Sequence, residues 1–177
     1  MSTTRPQTTT SRVTTTRLAT TTSAPPTTSP CGMAFDPSGN IYVSYPLSNN
    51  IYKQNQLYFS ITTGTPLNTP MGLCYLNNFL YIADWGNSRI VAYNGITSTI
   101  FSTPIKPYGL CVLNTIVYIC GQDSIYRFTP PSTSVTLVKQ NSGSDFMFMC
   151  TDGNTLYICD NNSKSVRQYN IQTNNMV

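Results

Sequence analysis

The stretch Asn77–Tyr93, NNFLYIADWGNSRIVAY, decides the fold because it is not alone. It reads apolar-Tyr-apolar-small-Asp, turns through Gly and Asn, and closes on Arg-Ile and an aromatic. Upstream, SGNIYVSYPLSNNIYKQ repeats it; downstream, LNTIVYICGQDSIYRF and GNTLYICDNNSKSVRQY do so again. Tyr42, Tyr81, Tyr118 and Tyr157 fall in register at steps of 39, 37 and 39 residues. The segment ahead of each tyrosine recurs too, as CGMAFD, MGLCYL, YGLCVL and FMFMCT. Four copies at a period of about 40 residues are the signature of a propeller, solenoid or array.

Inside one period the apolar residues come in short runs broken by Gly, Asn, Asp, Pro and Ser, which is how strands and turns alternate. In the second copy the predicted strands are Gly72–Leu76, Phe79–Asp84, Arg89–Tyr93 and Thr99–Ser102. Four short strands make a sheet too small to stand alone, so neighbouring sheets must pack face to face. A helical repeat would need Ala/Leu/Glu/Lys-rich stretches at 3.6 spacing, and none is present. The expectation is an all-β chain: a β-propeller of four-stranded antiparallel blades over residues 30–66, 67–105, 106–143 and 144–177, preceded by a Thr/Ser/Pro-rich arm, 1–29.

With P-x-G-L ahead of the first strand and LYIADWGNSRIVAY after it, the repeat resembles the NHL repeat. The likeness extends over about residues 30–177 and is strongest in copy two, at Pro70, Gly72, Tyr81, Asp84, Asn87, Arg89 and Ile90. Copy three has Gly121 in place of the Asp and a connection two residues shorter. Copy one has Tyr45 there and Asn50 at the Arg position. Copy four keeps Asp160 and has Ser165 for the Arg. The resemblance implies a disc whose channel is lined by the first strand of each blade; such propellers commonly have six blades, and this chain encodes four.

The fourth copy ends early, with only NIQTNNMV after Val166–Tyr169. In the arm, SRVTTTRLATTTS has β propensity. Part of residues 8–24 is expected to pair as an outer strand, on its own fourth blade or on the exposed sheet edge of another copy. Donation between copies is head-to-tail and, if it does not close, builds a filament. The competing reading is a disordered or O-glycosylated linker, with Thr20, Thr21, Thr22, Ser23, Thr27, Thr28 and Ser29 as acceptors. An N-glycosylation sequon stands at Asn161, in the turn after the second strand of copy four.

Composition limits what such a disc does. Charged residues are 9% of the chain, against about 25% in average domains, so Asn, Ser, Thr, Gln and Tyr cover the surface. The net charge of +4 lies mostly in the arm, where Arg5, Arg12 and Arg17 sit. The body is near neutral and its basic residues are scattered, which leaves little attraction for phosphate and disfavours nucleic acid as a partner. No run is long enough for a transmembrane span. No apolar leader marks the N-terminus.

The chain has no His, and its six acids are all Asp: Asp36, Asp84, Asp123, Asp145, Asp152 and Asp160. Most general acid–base pairs are thereby unavailable. Asp at strand ends and turns ordinarily bonds its own backbone. Neither a metal nor another cofactor is expected. Of the six cysteines, Cys111 with Cys120 and Cys150 with Cys159 recur at one spacing across a hairpin. They read either as two intrablade disulfides, with Cys31 and Cys74 as a third pair, or as small buried side chains.

The expectation is therefore a non-catalytic structural or interaction propeller. Its leading form is a self-assembling one, extracellular or on a particle surface, with the arm linking or decorating subunits. The alternative is a cytoplasmic scaffold that binds a protein on a disc face. RNA binding and a lyase or hydrolase activity rank below both. The repeat itself is defined by Tyr42, Tyr81, Tyr118, Tyr157, Asp84 and Asp160.

Overall fold

A computed structural model describes residues 28–59 and 65–177. Among them the chain is all-β, in four antiparallel sheets of four strands each. Blade one is β1 (Met33–Phe35), β2 (Ile41–Tyr45), β3 (Asn50–Lys53) and β4 (Gln56–Phe59). Blade two is β5 (Pro70–Leu76), β6 (Phe79–Asp84), β7 (Arg89–Tyr93) and β8 (Ser98–Ser102). Blade three is β9 (Gly109–Leu113), β10 (Ile116–Gly121), β11 (Ser124–Phe128) and β12 (Thr136–Gln140). Blade four is β13 (Phe146–Thr151), β14 (Thr155–Asp160), β15 (Ser165–Asn170) and β16 (Asn175–Met176). Each sheet is a meander in chain order, the arrangement of a β-propeller blade.

Local chemistry sets the register. Asn77 and Asn78 both adopt positive φ, 51° and 64°, as a two-residue hairpin turn requires, and this places Leu76 opposite Phe79. Strand alternation then sorts the side chains. Cys74, Tyr81 and Ala92 stand opposite one another in a row on one face of blade two; Leu73, Ile82 and Val91 form the row on the other. The first row packs against Leu110, Val117 and Ile119 of blade three and is called the forward face. The second packs against Ala34, Tyr42 and Ile51 of blade one and is the back face. Blade three repeats the plan, laying Cys111, Tyr118, Cys120 and Ile125 on Leu156 and Ile158 of blade four.

The inner strands β1, β5, β9 and β13 pack in succession. Their backbones come close because glycine stands at the contact. A Cβ on Gly32 would lie 2.3 Å from the Met71 carbonyl oxygen, one on Gly72 2.6 Å from that of Tyr108, and one on Gly109 2.5 Å from that of Met147. Ser44 reinforces the first contact, its hydroxyl donating to the Met71 carbonyl at 2.6 Å. In blade four the same position is Phe148.

Blade four completes its sheet with its own C-terminal residues, Gln168 and Val177 exchanging backbone hydrogen bonds of 2.8 and 2.9 Å. The expected strand within residues 8–24, and the acceptors Thr20, Thr21, Thr22, Ser23 and Thr27, lie outside the described residues.

The cysteines correct one expectation. All six are free. The hairpins turn one residue earlier than an even Cys111–Cys120 or Cys150–Cys159 span requires, so Cys111 faces Tyr118 and Cys120 faces Gly109. Cys150 likewise faces Tyr157, and Cys159 faces Val166. Each proposed pair is two residues out of register. Cys31 packs by its thiol on the Met71 sulfur at 3.6 Å, while Cys74 is buried in the core between blades two and three. Burial pushes the Cys111 thiol up to about 12 and raises Cys74 and Cys120 as well, so these three behave as small core side chains; half-buried Cys31 is raised too.

Candidate functional site

The residues that define the repeat hold the blades together. In blade two, Asp84 is fully buried and accepts from the Asn68 backbone at 2.7 Å, from the Asn87 amide at 2.8 Å and from the Arg89 guanidinium. Arg89 also donates to the Thr65 and Pro66 carbonyls at 2.8 and 3.0 Å. Asp84, Asn87 and Arg89 thus lock the chain that enters the inner strand to the end of the next two strands. Blade four rebuilds the knot: Asp160 accepts from the Asp145 backbone at 3.0 Å, from Ser144 at 2.9 Å and from Arg167, two residues beyond Ser165, at 3.1 Å. Blade three has no room for a carboxylate, since a Cβ on Gly121 would fall 2.1 Å from the Lys106 carbonyl oxygen. In blade one, Tyr45 fills the place and packs edge-on against Tyr52 at 5.2 Å.

The remaining acids are engaged in turns. Asp36 accepts from the Ser38 and Asn40 backbones, the Asn40 amide and the Tyr42 hydroxyl. Those bonds, the Asn40 amide first, bring its carboxyl down to about 2. Asp152 does the same for Asn154, Thr155 and Tyr157. Asp123 bonds Ser124 and Gln140, and Asp145 bonds Asn161. Among the described residues no group of three or more Cys and Asp side chains gathers as a metal site requires, and no helix is long and apolar enough to cross a membrane. Asn161 is exposed in the β14–β15 turn, its amide oxygen also taking a bond from Lys164 at 3.1 Å.

A cavity of about 220 Å³ opens at the rim between blades two and three, lined by Phe79, Tyr81, Phe101, Phe128 and Pro130. It is below the usual size of a ligand site, and its walls carry no charged group to orient a polar substrate. Its tyrosine belongs to the core: burial pushes Tyr81 up to about 12, as it does Tyr42.

The two end faces of the array are different. On the back face of blade one, Met33 stands opposite Val43 and Val43 opposite Tyr52, with Phe35 opposite Ile41 beside them. The counterparts of Met33, Ile41 and Val43 in blades two and three, Leu73, Leu80, Ile82, Leu110, Val117 and Ile119, are all buried, while Tyr75 and Val112, the counterparts of Phe35, are half-buried. Met33 is 64% exposed, Phe35 57% and Ile41 39%, while Val43 is half-buried and Tyr52 is buried against Tyr45. On the forward face of blade four, Cys150 and Cys159 are exposed and Val166 is 60% exposed, whereas their counterparts Cys111, Cys120 and Ile125 are buried. An open depression of about 360 Å³ lies there, lined by Met147, Cys159, Asp160, Asn161 and Val166.

Of these end residues Cys150, Cys159, Asp160 and Asn161 figure in the sequence-based expectations; the exposed apolar ones do not. The signal is legible: terminal repeats of an array ordinarily carry a polar outer face, and blade one has Met, Phe and Ile where a cap would be polar.

The class defined by these observations is a β-propeller of four meander blades. No family model matches the chain, and no curated protein matches it. Solved structures do. A streptogramin B lyase is 17% identical, with 84% of this chain and 53% of that one covered and a TM-score of 0.70. A catalytically inactive histidine-to-alanine variant of virginiamycin B lyase from Staphylococcus aureus, with quinupristin, is also 17% identical, covering 86% and 55% at a TM-score of 0.72. The computationally designed Ika4 protein is 11% identical, covering 82% and 92% at a TM-score of 0.58. The chain spans about half the length of the lyases it matches, and at these identities the likeness is one of fold.

Proposed function

We propose that this chain is a non-catalytic, NHL-like propeller that works as a self-assembling structural component, with the arm 1–29 linking or decorating subunits on the outside of a particle or cell. The observation that carries this reading is the apolar back face of blade one. Fully burying a Met, Phe or Ile side chain is worth about 1.5–3 kcal/mol, of which Met33, Phe35 and Ile41 have roughly half still to gain, and contiguous exposed apolar patches mark interaction sites. A charge-poor surface adds little repulsion between copies.

Support for a catalytic role is thinner. The lyase neighbour is inactive when a histidine is replaced by alanine, and this chain has no histidine. All six of its carboxylates are taken up by turns and interstrand knots. With the thiols free, the reading of an oxidising exterior rests on the Thr-rich arm and the low charge alone.

Sedimentation velocity over a wide range of protein concentration tests the proposal. A mass that rises with concentration supports it. A monomer throughout refutes it and turns the search to a different protein on the same face.

A further inference from the structure

We infer that the surface covering the back face of blade one is the forward face of blade four of a second copy, so that two chains close one eight-bladed disc. This rests on the self-assembly reading above and adds the partner surface and its geometry.

The joint between copies continues the pattern of the three joints already inside the chain. At each, a forward row of small residue, Tyr, small residue and β-branched residue lies on a back row of aliphatic residues. The forward rows are Ala34, Tyr42, Ser44 and Ile51, then Cys74, Tyr81, Ala83 and Ile90, then Cys111, Tyr118, Cys120 and Ile125. Blade four presents Cys150, Tyr157, Cys159 and Val166 in the same register, with no blade in front of it among the described residues. The back rows are Leu73, Leu80 and Ile82, then Leu110, Val117 and Ile119, then Met149, Leu156 and Ile158. Blade one presents Met33, Ile41 and Val43 in that register, with no blade behind it among the described residues. The two ends are the two halves of a fourth joint.

At the new joint Phe148 stands where Gly32, Gly72 and Gly109 let inner strands touch, so the two joints between copies are wider at the channel than the three within each.

Two full-length variants test it. Phe35→Asp spoils the back face and leaves the forward face intact; Val166→Asp does the reverse. Both positions are exposed in the single chain, so neither variant perturbs the fold, and circular dichroism checks this. Wild type is expected to sediment as a dimer. Each variant alone is expected to lose association by about 100-fold or more, because a charge in a desolvated contact is strongly unfavourable. Mixed one to one, they are expected to recover a dimer, since one sound joint remains. Association that survives Val166→Asp, or a mixture that stays monomeric, overturns the blade-four assignment while leaving self-assembly standing. Open polymers in place of dimers overturn closure. A monomeric wild type removes the parent reading itself.

Discussion

Leu80 in blade two and Ile41 in blade one occupy the same place on the second strand, on the back face, and each is a branched aliphatic. Leu80 is fully buried between blades; Ile41 is 39% exposed. Residue type and local strand geometry are alike, so the difference comes entirely from what stands behind the blade. The comparison shows that burial in this fold is a property of the joint between sheets. Blades two and three have joints on both sides, blades one and four on one side each, and the end blades retain the interior's chemistry on their open faces.

The comparison is most severely tested at the acidic knots. Asp84→Ala leaves Arg89, itself buried, without its carboxylate, and is expected to cost about 3–5 kcal/mol. Asp160→Ala frees an Arg167 that is a third exposed and can be hydrated; its cost is expected nearer 1–3 kcal/mol, from the unpaired Asp145 amide. Urea denaturation of both variants checks the order, and equal losses would erase the distinction between interior and end.

Next in size is the aliphatic pair itself. Leu80→Ala is expected to cost about 2–5 kcal/mol through the cavity it leaves. Ile41→Ala is expected to cost only about 1 kcal/mol in the dissociated chain, since over a third of the side chain is already exposed. A large loss at Ile41 under dilute conditions would mean that something already covers that face.

Gly109→Ala sharpens the point at the backbone. Its Cβ would strike the Met147 carbonyl, forcing blades three and four apart at an expected cost of about 1–3 kcal/mol, read from thermal melts.

Acid should loosen the loops by a smaller amount. The Asn40 amide and its fellow donors hold Asp36 at about 2, the Gln140 amide lowers Asp123, and the backbone amides of Asn154 and Thr155 lower Asp152. Asp160 is pushed up by burial but pulled down further by the Asp145 amide, Ser163, Ser144 and Arg167. A carboxyl lowered in the folded state contributes stability that is complete above its unfolded value, about 3.9, and is lost as pH falls through the folded one. Stability is therefore expected to be flat above about pH 5 and to decline from about pH 4 towards 2. A decline beginning near neutrality would contradict this assignment.

The smallest effect is chemical. A thiol reagent is expected to label Cys150 and Cys159 promptly in dilute protein, and Cys74, Cys111 and Cys120 only on unfolding. At concentrations where copies associate, the two blade-four thiols should become protected. Mass spectrometry after pulsed labelling reads both.

Much of this was legible in the sequence because the repeat is its own alignment. The tyrosine register placed the four blades, and the Asn-rich turns and alternating runs placed the strands, as in the second copy, where Phe79–Asp84 and Arg89–Tyr93 emerge with the expected bounds. The disulfide pairs failed because pattern alone does not say where a hairpin turns: a turn one residue earlier moves each partner by two. The departures at Gly121 and Tyr45 were visible as letters, but their cause, a carbonyl at Lys106 and a ring at Tyr52, exists only in three dimensions. The end faces were legible only in part: the first copy spells Met, Phe and Ile where a cap would be polar, but that no described blade covers Met33 and Val166 exists only in three dimensions.

The most direct test of the account is electron microscopy of the purified full-length chain at concentrations where it associates, with the blades counted in face-on averages. The account predicts a single disc of eight blades with two slightly wider joints on opposite sides. Closed four-bladed discs, or arcs joined through any surface other than the two blade ends, would contradict it.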